Sequence, residues 1–198
     1  RTVRENIELP LEIMKFGREE RRKRSLEMLD MVGLKNFEKH FPNQLSGGMQ
    51  QRVNIARAFS IHPEILLMDE PFSALDEFTK EKLHEDLLRI WSQTNKTIIF
   101  VTHNIAEAVF LSDRVCVLSP HPGRLSAVVD IDLERTRTID MKQSAHFNEL
   151  VAKVRNSFEN LLAMQILDDL QWRNTFLLQN YFALYNVLLI YYQLLIAV

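Results

Sequence analysis

The sequence has little cysteine and glycine and no excess of charge of either sign. Its one cysteine, Cys116, excludes an intrachain disulfide framework and lies in the apolar run RVCVLS, where we expect a small buried side chain in a reducing cytosol. None of the five glycines belongs to a GxxxxGK[ST] motif, so the 198 residues contain no phosphate-binding loop of that kind. A net charge of −2 argues against a surface that coats nucleic acid.

Length and bulk composition are those of a soluble globular protein. With 198 residues the chain can form one domain with a sizeable core, and 46% apolar with 25% charged residues is an ordinary balance for such a protein. The sequence starts at Arg1 rather than at a methionine, shows no secretion signal, and stops inside an apolar run. We therefore expect a fragment of a longer protein.

The pattern of apolar residues predicts helices that alternate with short strands. The predicted helices are residues 25–32, 50–60, 77–94, 105–111 and about 147–163. The predicted strands are residues 65–68, 97–101, 115–118 and 128–131. Apolar strands alternating with helices indicate an α/β fold with a parallel sheet buried on both faces, in which chemistry collects at the carboxyl ends of the strands.

Three side chains with useful chemistry fall at such strand ends. Asp69 and Glu70 follow the first apolar strand, and His103 follows the second. A carboxylate there can hold Mg²⁺ beside a nucleotide, a second carboxylate can act as a general base, and a histidine can donate a hydrogen bond to a phosphate oxygen. Taken singly, each is as well explained by a surface turn or an ordinary core or surface side chain.

A glycine pair precedes one of the predicted helices. Ser46, Gly47 and Gly48 place a hydroxyl and backbone N–H groups at a helix start, where an anion such as phosphate binds favourably. The alternative is an ordinary glycine turn with a serine cap. Asp76 has the same ambiguity, because it could simply cap the helix that follows it.

The order and spacing of four segments decide between these alternatives. They are LSGGMQQRV at 45–53, ILLMDEP at 65–71, SALD at 73–76 and TIIFVTH at 97–103. Together they resemble the signature motif, the Walker B strand, the D-loop and the switch histidine of the nucleotide-binding domain of ABC transporters. The resemblance covers roughly residues 1–135, and the P-loop, or Walker A motif, is absent from the sequence.

The resemblance implies a role for each matching strand-end residue. Asp69 would orient Mg²⁺, Glu70 would be the catalytic base, and His103 would contact the γ-phosphate of ATP. ATP and Mg²⁺ are therefore the implied cofactors. Without a P-loop, we expect this chain alone neither to bind nor to hydrolyse ATP measurably.

The resemblance also implies a site shared between two subunits. Ser46, Gly47 and Gly48, with Gln50 assigned to the same nucleotide-binding set, would bind ATP held by a second nucleotide-binding domain in a head-to-tail dimer. Asp76 would communicate across that dimer. The further implied partners are membrane permease subunits and, indirectly, a periplasmic or extracellular solute-binding protein, with no nucleic acid. The implied location is the cytoplasmic face of the inner membrane.

The resemblance divides the chain into four parts. Residues 1–62 would be the helical signature subdomain, 63–135 the carboxyl-terminal part of a RecA-like parallel-sheet core, 136–173 a helical extension and 174–198 an apolar tail. The fold expected is thus an incomplete P-loop NTPase-like ABC ATPase domain.

Finer motifs are similar to the nitrate, sulfonate and taurine importer subfamily. They are the segments TVRENIELPLEI and HPGRLSAVVDIDLERTR, although residues 132–137 read DLERTR where family members often carry DLPRPR. EPFSALD, with Phe72 rather than threonine, resembles bacterial importers more than exporters. The leading hypothesis is an energising subunit of an importer. The alternatives are a soluble ABC-type ATPase acting on nucleic acid or the ribosome, and a non-catalytic regulatory fragment.

The tail contains no charged residue from Asn174 to Val198. As a helix, the 18 residues from Tyr181 to Val198 would span about 27 Å, close to a bilayer core of about 30 Å. A transmembrane helix and an artefact of gene structure are the two favoured interpretations, ahead of a helix packed on the domain or on a partner.

Overall fold

The computed structural model describes the backbone of residues 1–119, 123–172 and 194–197, and side chains as far as residue 159. These residues form two compact units. The first comprises Arg1–Leu66 and Pro71–Thr97, and the second Leu67–Glu70 and Ile98–Val198. The four domain limits expected from the sequence remain predictions.

The first unit is built from four helices and two short 3₁₀ turns. The helices are α1 (Val3–Ile13), α2 (Arg18–Met31), α3 (Gly47–Phe59) and α4 (Glu77–Thr94), and the turns are Lys35–Phe37 and Pro42–Gln44. Helices α1, α2 and α3 pack on one another, and α3 also contacts α4. The predicted helices 25–32, 50–60 and 77–94 are confirmed as α2, α3 and α4, with Val32 and Ser60 as the residues that cap the ends of α2 and α3.

Helix α1 begins with a reciprocal cap. The Thr2 N–H donates to a Glu5 carboxylate oxygen at 2.7 Å, and the Glu5 N–H donates to the Thr2 hydroxyl at 3.3 Å, so two helix-end donors are satisfied. Val3, Ile7 and Leu11 are fully buried at a spacing of one helical turn. Burial of each such side chain stabilises the unit by about 1.5–3 kcal/mol, which holds α1 together although Pro10 lies inside it.

Five strands form one sheet. They are β1 (Ile65–Asp69), β2 (Thr97–Thr102), β3 (Arg114–Leu118), β4 (Leu125–Asp130) and β5 (Leu194–Ala197), in the spatial order β1-β2-β5-β3-β4. All four predicted strands are present. Strands β1, β2 and β3 are each one residue longer than predicted, and β4 begins at Leu125, three residues earlier than predicted.

Strand directions in the sheet are mixed. Strand β5 is antiparallel to both β2 and β3, with Ile99 opposite Ala197 and Val115 opposite Ile196, so β2 and β3 run parallel to each other. Strands β3 and β4 are antiparallel. The parallel core expected from the sequence is present, with antiparallel strands added to it.

The expectation that the sheet is buried on both faces is wrong for β1. Leu66 and Met68 are buried, whereas Ile65 and Leu67 are 57% and 72% exposed. Although every residue in this run is apolar, its side chains alternate between buried and exposed along the strand. Cys116 departs in the same sense, because its side chain is only half-buried, and its thiol is free.

Two helices accompany the strands of the second unit. Helix α5 (Ile105–Leu111) matches its predicted limits, and α6 (Ala145–Trp172) is longer than predicted. Helix α6 contacts α5, β3 and β4. It buries Phe147, Leu150 and Val154 at helical spacing.

A buried arginine ties the end of α5 to the segment that follows β4. The Arg137 guanidinium donates to the carbonyl oxygens of Phe110 and Ser112, each at 2.9 Å, and to that of Leu133 at 3.2 Å. Burial lowers the pKa of Arg137 to about 10, so it is cationic at neutral pH. The cation complements the carbonyl end of α5.

The apolar tail is described only in part. Residues 173–193 and Val198 lie outside the described residues. The helical interpretations of the tail do not hold for Leu194–Ala197, because these residues pair as strand β5 between β2 and β3. Within the described part of the chain, no helix has the length and apolar character needed to cross a bilayer.

Candidate functional site

Glu70 occupies an unusual backbone position directly after β1. Its φ angle is +42°, in the left-handed region that costs a side-chain-bearing residue about 1–3 kcal/mol. The Glu70 N–H donates to the Val101 carbonyl at 2.9 Å, which ties this turn to β2. Strain of this kind persists where surrounding contacts fix it, and it is frequent at functional sites.

His103 lies at the end of β2 and faces this carboxylate. The His103 Nδ1 and Glu70 Oε1 atoms are 3.1 Å apart. Solvent reaches both side chains, so the pair contributes little to stability. Its significance is geometric, since it brings a carboxylate and an imidazole from two neighbouring strand ends within hydrogen-bond distance.

Asp69 is the last residue of β1 and is exposed. Mg²⁺ commonly binds through one or two carboxylates, with water and phosphate oxygens completing the shell, so a single exposed carboxylate beside a nucleotide fits the ion. Among the described residues, no cluster of three metal-ligating side chains exists. The chemistry of Asp69 therefore suits a Mg²⁺ ion shared with a phosphate rather than an all-protein metal site.

The glycine pair begins α3 in the first unit. Ser46 caps the helix, and its hydroxyl accepts from the Met49 N–H at 3.3 Å. A Cβ atom on Gly48 would lie 2.6 Å from the Thr79 methyl carbon, and one on Gly47 would lie 3.2 Å from a Leu75 methyl carbon. Glycine is thus required here by the close approach of the first turn of α4, whatever else the helix start binds.

Gln50 and Asp76 have internal partners in the same unit. The Gln50 amide donates to the Pro42 carbonyl at 2.9 Å and to the Leu45 carbonyl at 3.2 Å, which fixes the segment leading into α3. The Asp76 carboxylate caps α4, accepting from the Thr79 N–H at 3.0 Å and from its hydroxyl at 2.7 Å. These bonds hold the pKa of Asp76 below its ordinary value.

The predicted site residues thus form two groups. Glu70 and His103 meet in the second unit, where Asp69 adjoins them in sequence. Ser46, Gly47, Gly48, Gln50 and Asp76 belong to the first unit, where Thr79 contacts both Gly48 and Asp76.

Sequence analysis missed a set of side chains around His103. Thr102 and Glu107 are both buried, and the Thr102 hydroxyl donates to the Glu107 carboxylate. Asn104 caps α5 by accepting from the Glu107 N–H at 3.1 Å. An Asn followed three residues later by Glu is a recognised helix-start signal and could have drawn attention to this turn.

A family profile and curated relatives match this chain. The ABC transporter family profile matches residues 1–73. An uncharacterised ABC transporter ATP-binding protein of Methanocaldococcus jannaschii is 49% identical over 156 residues, 79% of this chain and 57% of that protein. The taurine import ATP-binding protein TauB of Rhizobium johnstonii is 48% identical over 160 residues, 78% of this chain and 61% of TauB. The chain belongs to the ABC transporter ATP-binding family.

Solved ABC cassettes share the fold. The dimeric structure of MJ0796, a bacterial ABC transporter cassette, matches with a TM-score of 0.55 and 42% identity, over 68% of this chain and 58% of that one. A post-hydrolysis state of MJ0796 bound to ADP and Pi matches with a TM-score of 0.54 and 43% identity, over 67% of this chain and 58% of that one. The predicted ABC ATPase fold and family are confirmed.

The ABC family resemblance has a defined extent. The chain spans about three fifths of the length of the curated relatives described above. The family profile includes Ser46, Gly47, Gly48, Asp69 and Glu70, whereas Asp76 and His103 lie beyond its limit at residue 73. The individual roles of these residues remain predictions.

Proposed function

We propose that this chain is part of the ATP-hydrolysing subunit of an ABC importer, with Glu70 and His103 at the reacting end of the nucleotide. The observation that carries the proposal is the 3.1 Å contact between the two side chains at adjacent strand ends. Family membership supports the nucleotide, and a cassette of the same fold has been solved with ADP and Pi.

The two side chains have complementary tasks in hydrolysis. Glu70 is the general base that accepts a proton from the attacking water, a contribution of about 10²–10⁴ in rate when the base is correctly placed. His103 keeps this carboxylate in place through Nδ1 and uses its remaining ring nitrogen toward the γ-phosphate. The fixed turn at Glu70 reduces the motion that would weaken both contacts.

Asp69 is the proposed Mg²⁺ ligand. When bound, the ion supplies positive charge that neutralises the phosphate oxygens. Asp69 offers an exposed carboxylate immediately before Glu70, so ligand and base are presented by consecutive residues of one turn.

The start of α3 is the proposed site for ATP held by a second copy of the domain. A helix start presents unpaired N–H groups and a partial positive charge of about half an elementary charge. Ser46, Gly47 and Gly48 form this end of α3 and are exposed or half-buried. Gln50 supports the loop before it, and Asp76 lies at the start of α4, where it contacts Thr79. The dimeric arrangement of MJ0796 supports a two-subunit site.

The names of the relatives support the proposals of import and of its partners. The TauB proteins of Rhizobium johnstonii and Yersinia pestis are named as taurine import ATP-binding proteins, and they support an importer of sulfonate-like solutes. The subunit would bind permease subunits at the cytoplasmic face of the inner membrane, with a solute-binding protein acting on the opposite side.

The test is a comparison of turnover in a polypeptide that joins this segment to a phosphate-binding loop. Glu70→Gln should lower kcat by about 10²–10⁴-fold with ATP affinity little changed. Glu64→Gln is the matched control, because Glu64 is exposed and directly precedes the opposite end of β1. Equal turnover in the two variants would refute the assignment of the base.

A further inference from the structure

We propose that Thr102 and Glu107 are positioning residues that hold His103 with its Nδ1 atom toward Glu70. The inference deepens the proposed function and rests on it for the role of His103. The contacts on which it is based all lie in the second unit and do not require a bound nucleotide.

Thr102 is fixed from two sides. It is the last residue of β2 and is 2% exposed. Its hydroxyl donates its one proton to the Glu107 carboxylate, and its oxygen accepts from the Asn104 N–H at 3.1 Å. A hydroxyl that both donates and accepts cannot rotate without losing a bond.

Glu107 is a buried carboxylate that the proposed hydrolysis does not use. It is 8% exposed and lies in the first turn of α5. A buried carboxylate is costly unless it accepts hydrogen bonds, so the Thr102 hydroxyl is a strongly favoured partner. The Glu107 N–H also donates to the Asn104 side chain, which closes a loop of bonds around the turn.

His103 is the one residue between the two points where this turn is fixed. The bond from Asn104 N–H to the Thr102 hydroxyl spans it directly and restricts the backbone dihedral angles on both sides of it. When Nδ1 approaches Glu70, only the side-chain torsion angles of His103 then remain to be fixed. The turn therefore removes part of the conformational entropy cost of forming the 3.1 Å contact.

The simpler explanation is that these bonds only start helix α5. The two explanations differ at His103, because a purely structural role would leave the state of the imidazole unchanged in any variant that still folds. Nitrogen-15 NMR of the imidazole separates them. The spectra are recorded at about pH 9, where nitrogen-15 chemical shifts distinguish the two neutral imidazole tautomers.

The expected result follows from donor chemistry. An ionised Glu70 accepts only, so the contact requires the proton on Nδ1 of His103. In the unaltered chain the Nδ1–H form should be enriched over its level in Glu70→Ala. The enrichment should be about two- to tenfold, which corresponds to the net free energy of one hydrogen bond.

Two substitutions at Thr102 form the matched pair. Thr102→Val keeps the shape and removes the hydroxyl, and it should shift the His103 tautomer ratio toward that of Glu70→Ala. Thr102→Ser keeps the hydroxyl and should retain the ratio of the unaltered chain. His146, whose Nε2 atom lies 3.0 Å from Asp132, is the internal control and should not change.

The outcomes are decisive in each direction. An unchanged His103 ratio in folded Thr102→Val, or an equal loss in Thr102→Ser, would overturn the proposal. Should Thr102→Val fail to fold, Glu107→Met removes the carboxylate that accepts from Thr102 and must shift the ratio in the same direction. If neither variant folds while Thr102→Ser does, the hydrogen bonds of Thr102 are needed only for folding and the proposal fails. A failure of Glu70 as base would appear in turnover and would leave this NMR result intact.

Discussion

Replacement of Gly48 by alanine provides a quantitative test of the contact between α3 and α4. The added Cβ would lie 2.6 Å from the Thr79 methyl carbon, closer than two carbon atoms can approach. The Thr79 side chain cannot simply rotate away, because its hydroxyl is bonded to Asp76 at 2.7 Å. Overpacking of this kind costs about 1–3 kcal/mol.

A second substitution isolates this clash. Alanine has a better helix propensity than glycine by about 0.5–1 kcal/mol. Gly48→Ala should therefore destabilise the chain by up to about 2.5 kcal/mol when Thr79 is present. Thr79→Ser removes the methyl group and keeps the hydroxyl, and in that background Gly48→Ala should be neutral or stabilising by up to about 1 kcal/mol.

The measurement is a double-mutant cycle by urea unfolding, followed through the helical signal. The coupling energy should be about 1–3 kcal/mol, well above the usual additivity error of about 0.5 kcal/mol. Equal effects of Gly48→Ala in the two backgrounds would refute the packing explanation. The glycine would then be required by something other than α4.

Three further predictions concern buried charge, pH and nucleotide. Arg137→Met should lower the free energy of unfolding by at least about 3 kcal/mol, because buried carbonyl groups lose their hydrogen-bond donor. Replacement of the exposed Arg114 by methionine should lower it by less than about 1 kcal/mol. Urea denaturation measures both free energies. Thr79→Val should raise the pKa of Asp76 toward its ordinary value in a carboxyl NMR titration, because the hydroxyl bond is the main cause of its lowering. The pKa of Asp76 is lower in the folded state, so its stabilising contribution is present above the ordinary carboxyl pKa and is lost as pH falls through the lowered value. The isolated chain, which has no GxxxxGK[ST] loop, should show no saturable ATP binding at micromolar concentrations by calorimetry.

Each of these has a contradicting result. Similar losses in Arg137→Met and Arg114→Met would mean that the buried guanidinium adds nothing beyond an exposed ion pair. An unchanged Asp76 pKa in Thr79→Val would assign the cap to the backbone N–H alone. Micromolar ATP affinity in the isolated chain would show that the described segments bind phosphate without that loop.

The predictions from sequence are accurate where local pattern controls structure. Helices α4 and α5 have the limits predicted, since Asp76 and Asn104 are strong caps at their starts. The apolar strand segments are correct because these short apolar runs lie within the length range of strands and below that of helices. The end of β2 and the end of β1 were expected at one edge of the sheet, and the structure places Glu70 and His103 within hydrogen-bond distance there.

The remaining features depend on contacts that local pattern does not encode. The tail segment Leu194–Ala197 has the composition of a membrane helix, yet it pairs with two strands about a hundred and about eighty residues earlier in the chain. The exposure of Ile65 and Leu67 depends on what covers the sheet rather than on their own hydrophobicity. The partnership of Thr102 with Glu107 requires knowing that both side chains turn inward.

The left-handed backbone at Glu70 restricts which amino acids the position accepts. Glycine adopts this conformation freely and asparagine with little strain, whereas branched residues such as valine are strongly disfavoured there. Replacement by either of the first two would relax the turn while deleting the carboxylate. Selection for folding alone would thus pull the position away from glutamate, so its presence there indicates a requirement that outweighs the ease of folding.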